Sequence, residues 1–329
     1  MTRPFGYFAL AAALLVAACN EEPTPTSQSS PAPVAFAKKR TTINTGGSAA
    51  VLLKRTNAIL AARHAKYRVD HVEWVTRDDA NQAGQIVFAN DRGNKQLDFQ
   101  FVPNDPRRGE GTEITYLVDQ SDGATHTGAA LTNAQTEAAI DRAMNTWETT
   151  TTCSKFAIDK VADNGADPDI IDGIVFNDPS LIGTPFADIT HAGWYPAEFF
   201  DLLAPGGSTV IVAATFTFFF TDDGVNPTDI NHDRKGDAAF RETYYNDAFP
   251  YGINTDNSTA IDVETVALHE SGHGLSQDHF GKIFATLANL RLHFAPQAVM
   301  NAAISTQKHS LLGSDRAGHC SIWGNWPNK

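Results

Sequence analysis

Apolar positions recur along this chain with two spacings, one helical and one alternating. In SAAVLLKRTNAILAARHAK, residues 48–66, Leu52, Leu53, Ile59 and Leu60 recur at helical spacing among alanines and predict a helix. YRVDHVEWV at 67–75, GQIVFAND at 84–91 and KQLDFQFV at 95–102 alternate apolar and polar residues. Glycine and asparagine break them, so they predict strands. PNDPRRGEG at 103–111 is a cluster of breakers and marks an expected boundary between a small N-terminal region, 46–108, and a main domain, 109–329. TEITYLVD at 112–119 predicts a strand. In NAQTEAAIDRAMNTWETT, 133–150, Ala139, Ile140, Ala143, Met144 and Trp147 share one helix face, with Thr132 as N-cap. IDGIVFND, 171–178, reads as a short strand. STVIVAATFTFFF, 208–220, is β-branched and aromatic and predicts a buried strand. Helices and strands together give an α+β fold.

The formal net charge of −13 argues against a nucleic-acid partner, which would need a basic face to meet phosphates. Near the start, Arg3 precedes FALAAALLVAA, a run too short to span a bilayer but suited to the core of a secretory signal, 1–18. It ends in Val16-Ala17-Ala18-Cys19, which resembles the lipobox of bacterial lipoproteins. That resemblance implies cleavage before Cys19 and a diacylglycerol on its sulfur. The exported protein would then be anchored in a membrane of the bacterial cell envelope, with later release left open. NEEPTPTSQSSPAPVAFA, 20–37, cannot bury enough apolar surface to order itself, so 19–45 reads as a tether. Cys153 and Cys320 remain. In an oxidising compartment such a pair commonly forms a disulfide, worth roughly 3–5 kcal/mol in the chain-entropy model.

The chemistry concentrates in DVETVALHESGHGLSQDHFG, 262–281. Asp262 can start a helix whose apolar face holds Val263, Val266 and Ala267. His269 and His273, four apart, share one face and can bind one zinc ion. Glu270 is rotated out of the metal's own ligand set but close enough to contact a zinc-activated water, the position of a general base. A catalytic zinc needs a third protein ligand. His279 follows six residues after His273, with Gly274 available to end the helix. No glutamate follows Glu270; Asp278 and Asp315 are the carboxylate alternatives.

The resulting HExxHxxSxxH resembles the metzincin metalloproteases, whose pattern is HExxHxxGxxH followed by a methionine turn. Ser276 stands where the family has glycine. The turn calls for a positive φ, which costs a serine about 1 kcal/mol. APQAVMNAA, 295–303, resembles the methionine turn, with Met300 beneath the metal. Pro296, the C-terminal HSLLGSDRAGHCSIWG and the helix 133–150 resemble the matrixin branch. KIFATLANLRLHF, between His279 and Met300, is an insertion relative to it. The match covers roughly 110–329. It implies a metzincin-like catalytic domain with a twisted mixed sheet, a backing helix, an active-site helix and a C-terminal helix. The N-terminal region would be a small module or a pro-segment.

In TDDGVNPTDINHDRKGD, 221–237, Asp229, Asn231, Asp233 and Asp237 are closely spaced oxygen donors, the first three alternating as in calcium loops. Gly236 is not at the sixth position, so the loop is no EF-hand. A structural calcium is expected there, against a solvated acidic loop. The implied activity is that of a zinc endopeptidase, its peptide substrate extended along an edge strand at 208–220. The alternatives are a non-catalytic metal-binding surface lipoprotein and a zinc amidase acting on cell-wall peptides.

Overall fold

In the computed structural model the helices, in chain order, are α1 (Ala49–Ala62), α2 (Asn133–Thr150), α3 (Ile170–Val175), α4 (Ala197–Asp201), α5 (Gly207–Val210), α6 (Val263–Gly274) and α7 (Gly313–Trp323). The strands are β1 (Tyr67–Arg77), β2 (Ile86–Phe88), β3 (Phe99–Gln100), β4 (Ile114–Val118), β5 (Ile158–Val161), β6 (Ile189–Tyr195) and β7 (Ile211–Phe220). They continue with β8 (Gly236–Asn246), β9 (Tyr251–Gly252), β10 (Ile261–Asp262), β11 (Lys282–Ala285), β12 (Leu292–Ala295) and β13 (Ala303–Ile304). The structure describes residues 48–328 other than 81, 92–98, 151, 156, 168 and 184. The expected signal 1–18, Cys19 and the tether 19–45 lie outside the described residues.

Apolar character on both faces makes β7 the spine. All ten of its residues are buried, as are all but the first of β8. The main sheet runs β13-β1-β7-β8-β6-β4-β5, with β2 on β1 and β3 on β8. The β1–β7 and β7–β8 pairs are antiparallel, while β8–β6, β6–β4, β4–β5 and β1–β13 are parallel. The sheet is therefore mixed. On one face Phe216, Phe218, Phe240 and Tyr244 join a core with α1, α3 and α4. On the other, Ala213, Phe219 and Tyr245 pack with α2, α6 and α7. Two helical layers thus cover the sheet, which is why β7 carries no polar alternation. Trp147 of α2 donates through Nε1 to the Leu268 carbonyl (2.8 Å), fixing α2 against α6. Cys153 and Cys320 form a disulfide that ties the end of α2 to α7.

Two expectations change. The boundary at 103–111 does not divide the fold. β1 is an inner strand between β7 and β13, and the described residues belong to one compact unit. Local alternation cannot reveal this, because sheet order is set by contacts far apart in sequence. IDGIVFND forms the helix α3 and its turn rather than a strand. The buried Glu242 carboxylate on β8 accepts from the amides of Ile170 (2.8 Å) and Ile171 (3.1 Å), satisfying first-turn donors that a strand would have paired in a ladder.

Removing α1 and β1 (residues 48–77) should therefore leave one edge of β7 unpaired and give an insoluble or non-cooperatively unfolding chain. Circular dichroism and thermal melting test this, and a folded truncated protein would make β1 a detachable segment. A second expectation concerns His319, buried between Trp147 and Trp323 (ring centroids 5.8 and 6.2 Å). Burial lowers its pKa from the ordinary 6.5 to about 4. The unfolded chain binds this proton first. Stability fully present above about pH 6.5 is accordingly lost as pH falls towards about 4, by on the order of 2–3 kcal/mol. Urea unfolding of His319→Phe across that window should show a flatter pH profile than the parent; identical profiles would refute the assignment.

Candidate metal centre

α6 begins where the sequence places it. Asp262 caps it, accepting from the Thr265 amide at 2.9 Å, and all twelve helical residues are buried. The helix ends in a left-handed turn. Ser276 has φ 65°, and the amide of Gln277 returns to the carbonyl of Gly272 (2.9 Å), the Schellman pattern. The serine has a local compensation. Its Oγ accepts from Nη2 of the buried Arg241 (3.0 Å), whose Nη1 donates to the Gly274 carbonyl (3.0 Å). A residue of β8 thus holds the end of α6 and directs the chain to His279.

His269, His273 and His279 come together. Nε2 of His273 lies 3.1 Å from Nε2 of His269 and 3.3 Å from Nε2 of His279. Tetrahedral zinc with bonds of ~2.0–2.1 Å would set such nitrogens about 3.3 Å apart, so the three rings fit that ion. The far sides of two rings are anchored. Nδ1 of His269 meets the Val299 carbonyl (2.7 Å) and Nδ1 of His273 the Gln277 carbonyl (2.8 Å), which turns each Nε2 inward. Burial holds His269 well below its ordinary pKa and takes His279 to about 3, so both are neutral donors. Burial also opposes charge on His273, but Glu73 beside it outweighs this and raises it to about 9.

Glu270 is fully buried next to His269. Its Oε2 accepts from the Thr215 hydroxyl of β7 (2.7 Å), while Oε1 is buried and takes no hydrogen bond. Burial raises its pKa to about 7. One oxygen is thus fixed and the other left for a ligand proton. Met300 is buried under α6, and a Cβ at Gly272 would strike its sulfur, so glycine permits the close approach. The amides of Val299 and Met300 donate to the two oxygens of Asp315 (2.9 and 3.1 Å). Asp315, weighed above as a metal ligand, instead clamps the turn whose Val299 carbonyl orients His269. Asp278 is not in the histidine group; burial raises its pKa to about 7.

Sequence reasoning missed Glu73. This buried residue of β1 sits 3.0 Å from Nδ1 of His273 and 3.5 Å from Nε2 of His71. Burial alone would raise its pKa, yet His273 and His71 hold it well below the usual carboxylate range. No local signal identifies it, because β1 reaches the site only through sheet order.

The expected docking edge is also different. β7 pairs with β8 on one side and, from Ile211 to Phe220, with β1 on the other, so residues 208–220 offer no open edge. β1 lies between β7 and β13, the strand that follows Met300. The insertion after His279 forms a separate hairpin, β11–β12, with Ile283, Phe284, Leu287 and Leu290 exposed, Leu287 almost completely (98%).

Asp229, Asn231 and Asp233, three of the four expected calcium ligands, lie side by side in the loop, with the Asp233 amide shared between Asp229 Oδ1 (3.0 Å) and Asn231 Oδ1 (3.4 Å). Asp237 is buried and bound to Arg107 (2.8 Å) and the Thr228 hydroxyl (2.6 Å). Asp229 accepts instead from the amides of Asp233 and Arg234, both at 3.0 Å, and Asn231 donates to Asp233 (3.2 Å). Arg107 thus engages Asp237, while main-chain amides engage Asp229. Among the described residues no helix is long and apolar enough to cross a membrane. No protein-family model matches the chain, and comparison with curated proteins finds no match.

Proposed function

We propose that the chain is a zinc-dependent peptidase of the metzincin type, similar to the matrixin branch. One observation carries this reading: three imidazole Nε2 atoms converge beside a buried carboxylate with one oxygen unengaged. Zinc bound there supplies a Lewis acid for the scissile carbonyl and makes water nucleophilic at neutral pH. Glu270 takes the proton from the attacking water and returns it to the leaving amine. Thr215 holds the other oxygen of Glu270, so the carboxylate keeps its aim through both transfers. Glu73 braces His273 from behind. Export and lipid attachment at Cys19 belong to the same reading and rest on the lipobox-like sequence.

Because β1 occupies the outer side of β7, the peptide does not add a strand there. The exposed apolar residues of β11–β12, placed between His279 and Met300 in the chain, offer the substrate a surface instead. The same covered strand favours a second reading, a non-catalytic zinc-binding protein.

Metal analysis and casein hydrolysis separate the two. Parent and Glu270→Gln should each hold about one zinc, with turnover lower by roughly 10²–10⁴-fold in the variant. Zinc in both without hydrolysis by the parent would leave the non-catalytic reading; hydrolysis by both would remove Glu270 as the base. Phe284→Ser with Leu287→Ser should raise KM roughly tenfold while kcat stays near the parent value. An unchanged KM would rule out the hairpin as a substrate surface.

A further inference from the structure

A second set of buried charges lies apart from the histidines and has no part in the chemistry above. Asp119 and Asp122 sit in the turn that leaves β4 for α2, and Asp167, Asp169 and Asp172 come from the β5–α3 connection and α3. Carboxylate oxygens of Asp119, Asp167 and Asp169 lie within 4.8 Å of one another. Those of Asp122, Asp167 and Asp172 form an overlapping group of the same tightness. Acidic clusters are common on surfaces, where water disperses the charge. Here Asp119, Asp169 and Asp172 are fully buried.

The hydrogen bonds present do not satisfy the group. Asp119 Oδ1 accepts from the Ser121 amide (2.6 Å), and Asp169 Oδ2 accepts from the Tyr195 hydroxyl (2.9 Å). Asp119 Oδ2, Asp167 Oδ1 and Asp169 Oδ1 are each buried without any hydrogen bond. Each of these three carboxylates thus has a desolvated oxygen without a hydrogen bond, in a group whose members lie within 4.8 Å of one another, and that arrangement costs several kcal/mol per ion unless a positive charge lies among them. The charges acting most strongly on Asp169 are all negative, those of Asp119, Asp167, Glu242 and Asp172. Burial first, and then these neighbours, push Asp169 well above the carboxylate range; burial, then Asp167 and Asp122, raise Asp119 to about 7.

We propose that Asp119, Asp167 and Asp169, flanked by Asp122 and Asp172, bind a divalent cation of the calcium class. An all-oxygen, all-carboxylate donor set selects a hard cation over zinc. Several protein carboxylates in one irregular, buried group suit calcium better than magnesium, which keeps most of its waters and demands octahedral geometry. The ion joins the β4–α2 turn to the β5–α3 connection. That turn is already sewn to β6 by the Asp119 amide to the His191 carbonyl (3.0 Å) and the Trp194 amide to the Asp122 carbonyl (2.9 Å). The spacing DQSD followed by DPDIID carries the site in sequence.

The test uses purified protein stripped of divalent ions, resupplied with zinc and titrated with calcium chloride. Calorimetry should report saturable binding with a Kd in the range of about 10⁻⁵–10⁻³ M. The melting temperature should rise by roughly 5 °C or more at saturation, with a smaller effect from magnesium. Asp119→Asn with Asp169→Asn should abolish both responses and keep its zinc. It should also melt no lower than the parent in calcium-free buffer, because it has lost like-charge repulsion. Asp229→Asn with Asp233→Asn should bind calcium as the parent does. If the first variant fails to fold, the less buried Asp167→Asn serves in its place with the same expected loss. Absence of saturable calcium binding, retention of it in the cluster variant, or its loss in the 229/233 variant would each overturn the proposal.

Discussion

The ring nitrogens of His269, His273 and His279 stand so close, 3.1 and 3.3 Å from His273 Nε2, that a positive charge must lie among them, and the surrounding structure keeps the rings from turning away. Two of the three are fixed through their far nitrogens to main-chain carbonyls, at Val299 and Gln277. Those carbonyls are themselves secured. Asp315 grips the amides of the turn that carries Val299, and the Schellman turn at Ser276 positions Gln277. Arg241 reaches from β8 to both Gly274 and Ser276. The arrangement of the three histidines is thus held by the sheet, the α6 terminus and the C-terminal segment together.

How much of this was legible in the sequence depends on the range of the interactions. The spacing of His269, Glu270 and His273 declares itself because helix periodicity is local. The left-handed turn at Ser276 follows from the resemblance to a known pattern, and its φ of 65° agrees; Met300, placed by the same resemblance, packs against Gly272 of α6. The partner that relieves Ser276 is Arg241, 35 residues away on another element, and could not be read. Glu73 was hidden for the same reason. α3 was misread because a short apolar run has no decisive period, and Glu242 decides it from a distant strand. Asp229, Asn231 and Asp233 had a calcium-like alternation, but Arg107 takes the fourth donor, Asp237, and main-chain amides engage Asp229.

The covered edge of β7 changes the chemistry more than any single side chain does. A peptidase that accepts its substrate as an added strand needs unpaired main-chain donors and acceptors beside the metal. Here β1 uses them over ten residues of β7 and brings Glu73 against His273 in doing so. The strand that closes one route also helps to build the site.

The parallel pairing of Thr76 with Ala303 and Arg77 with Ile304 joins the first quarter of the chain to its last tenth. Such contacts close very long loops and belong to slow folding. The arrangement of the three histidines rests on the Met300 turn and Asp315, so a growing chain cannot hold it until almost all of the chain has emerged. Topology alone leaves the three-histidine group incomplete during synthesis, a timing set by the order in which the parts of the chain appear.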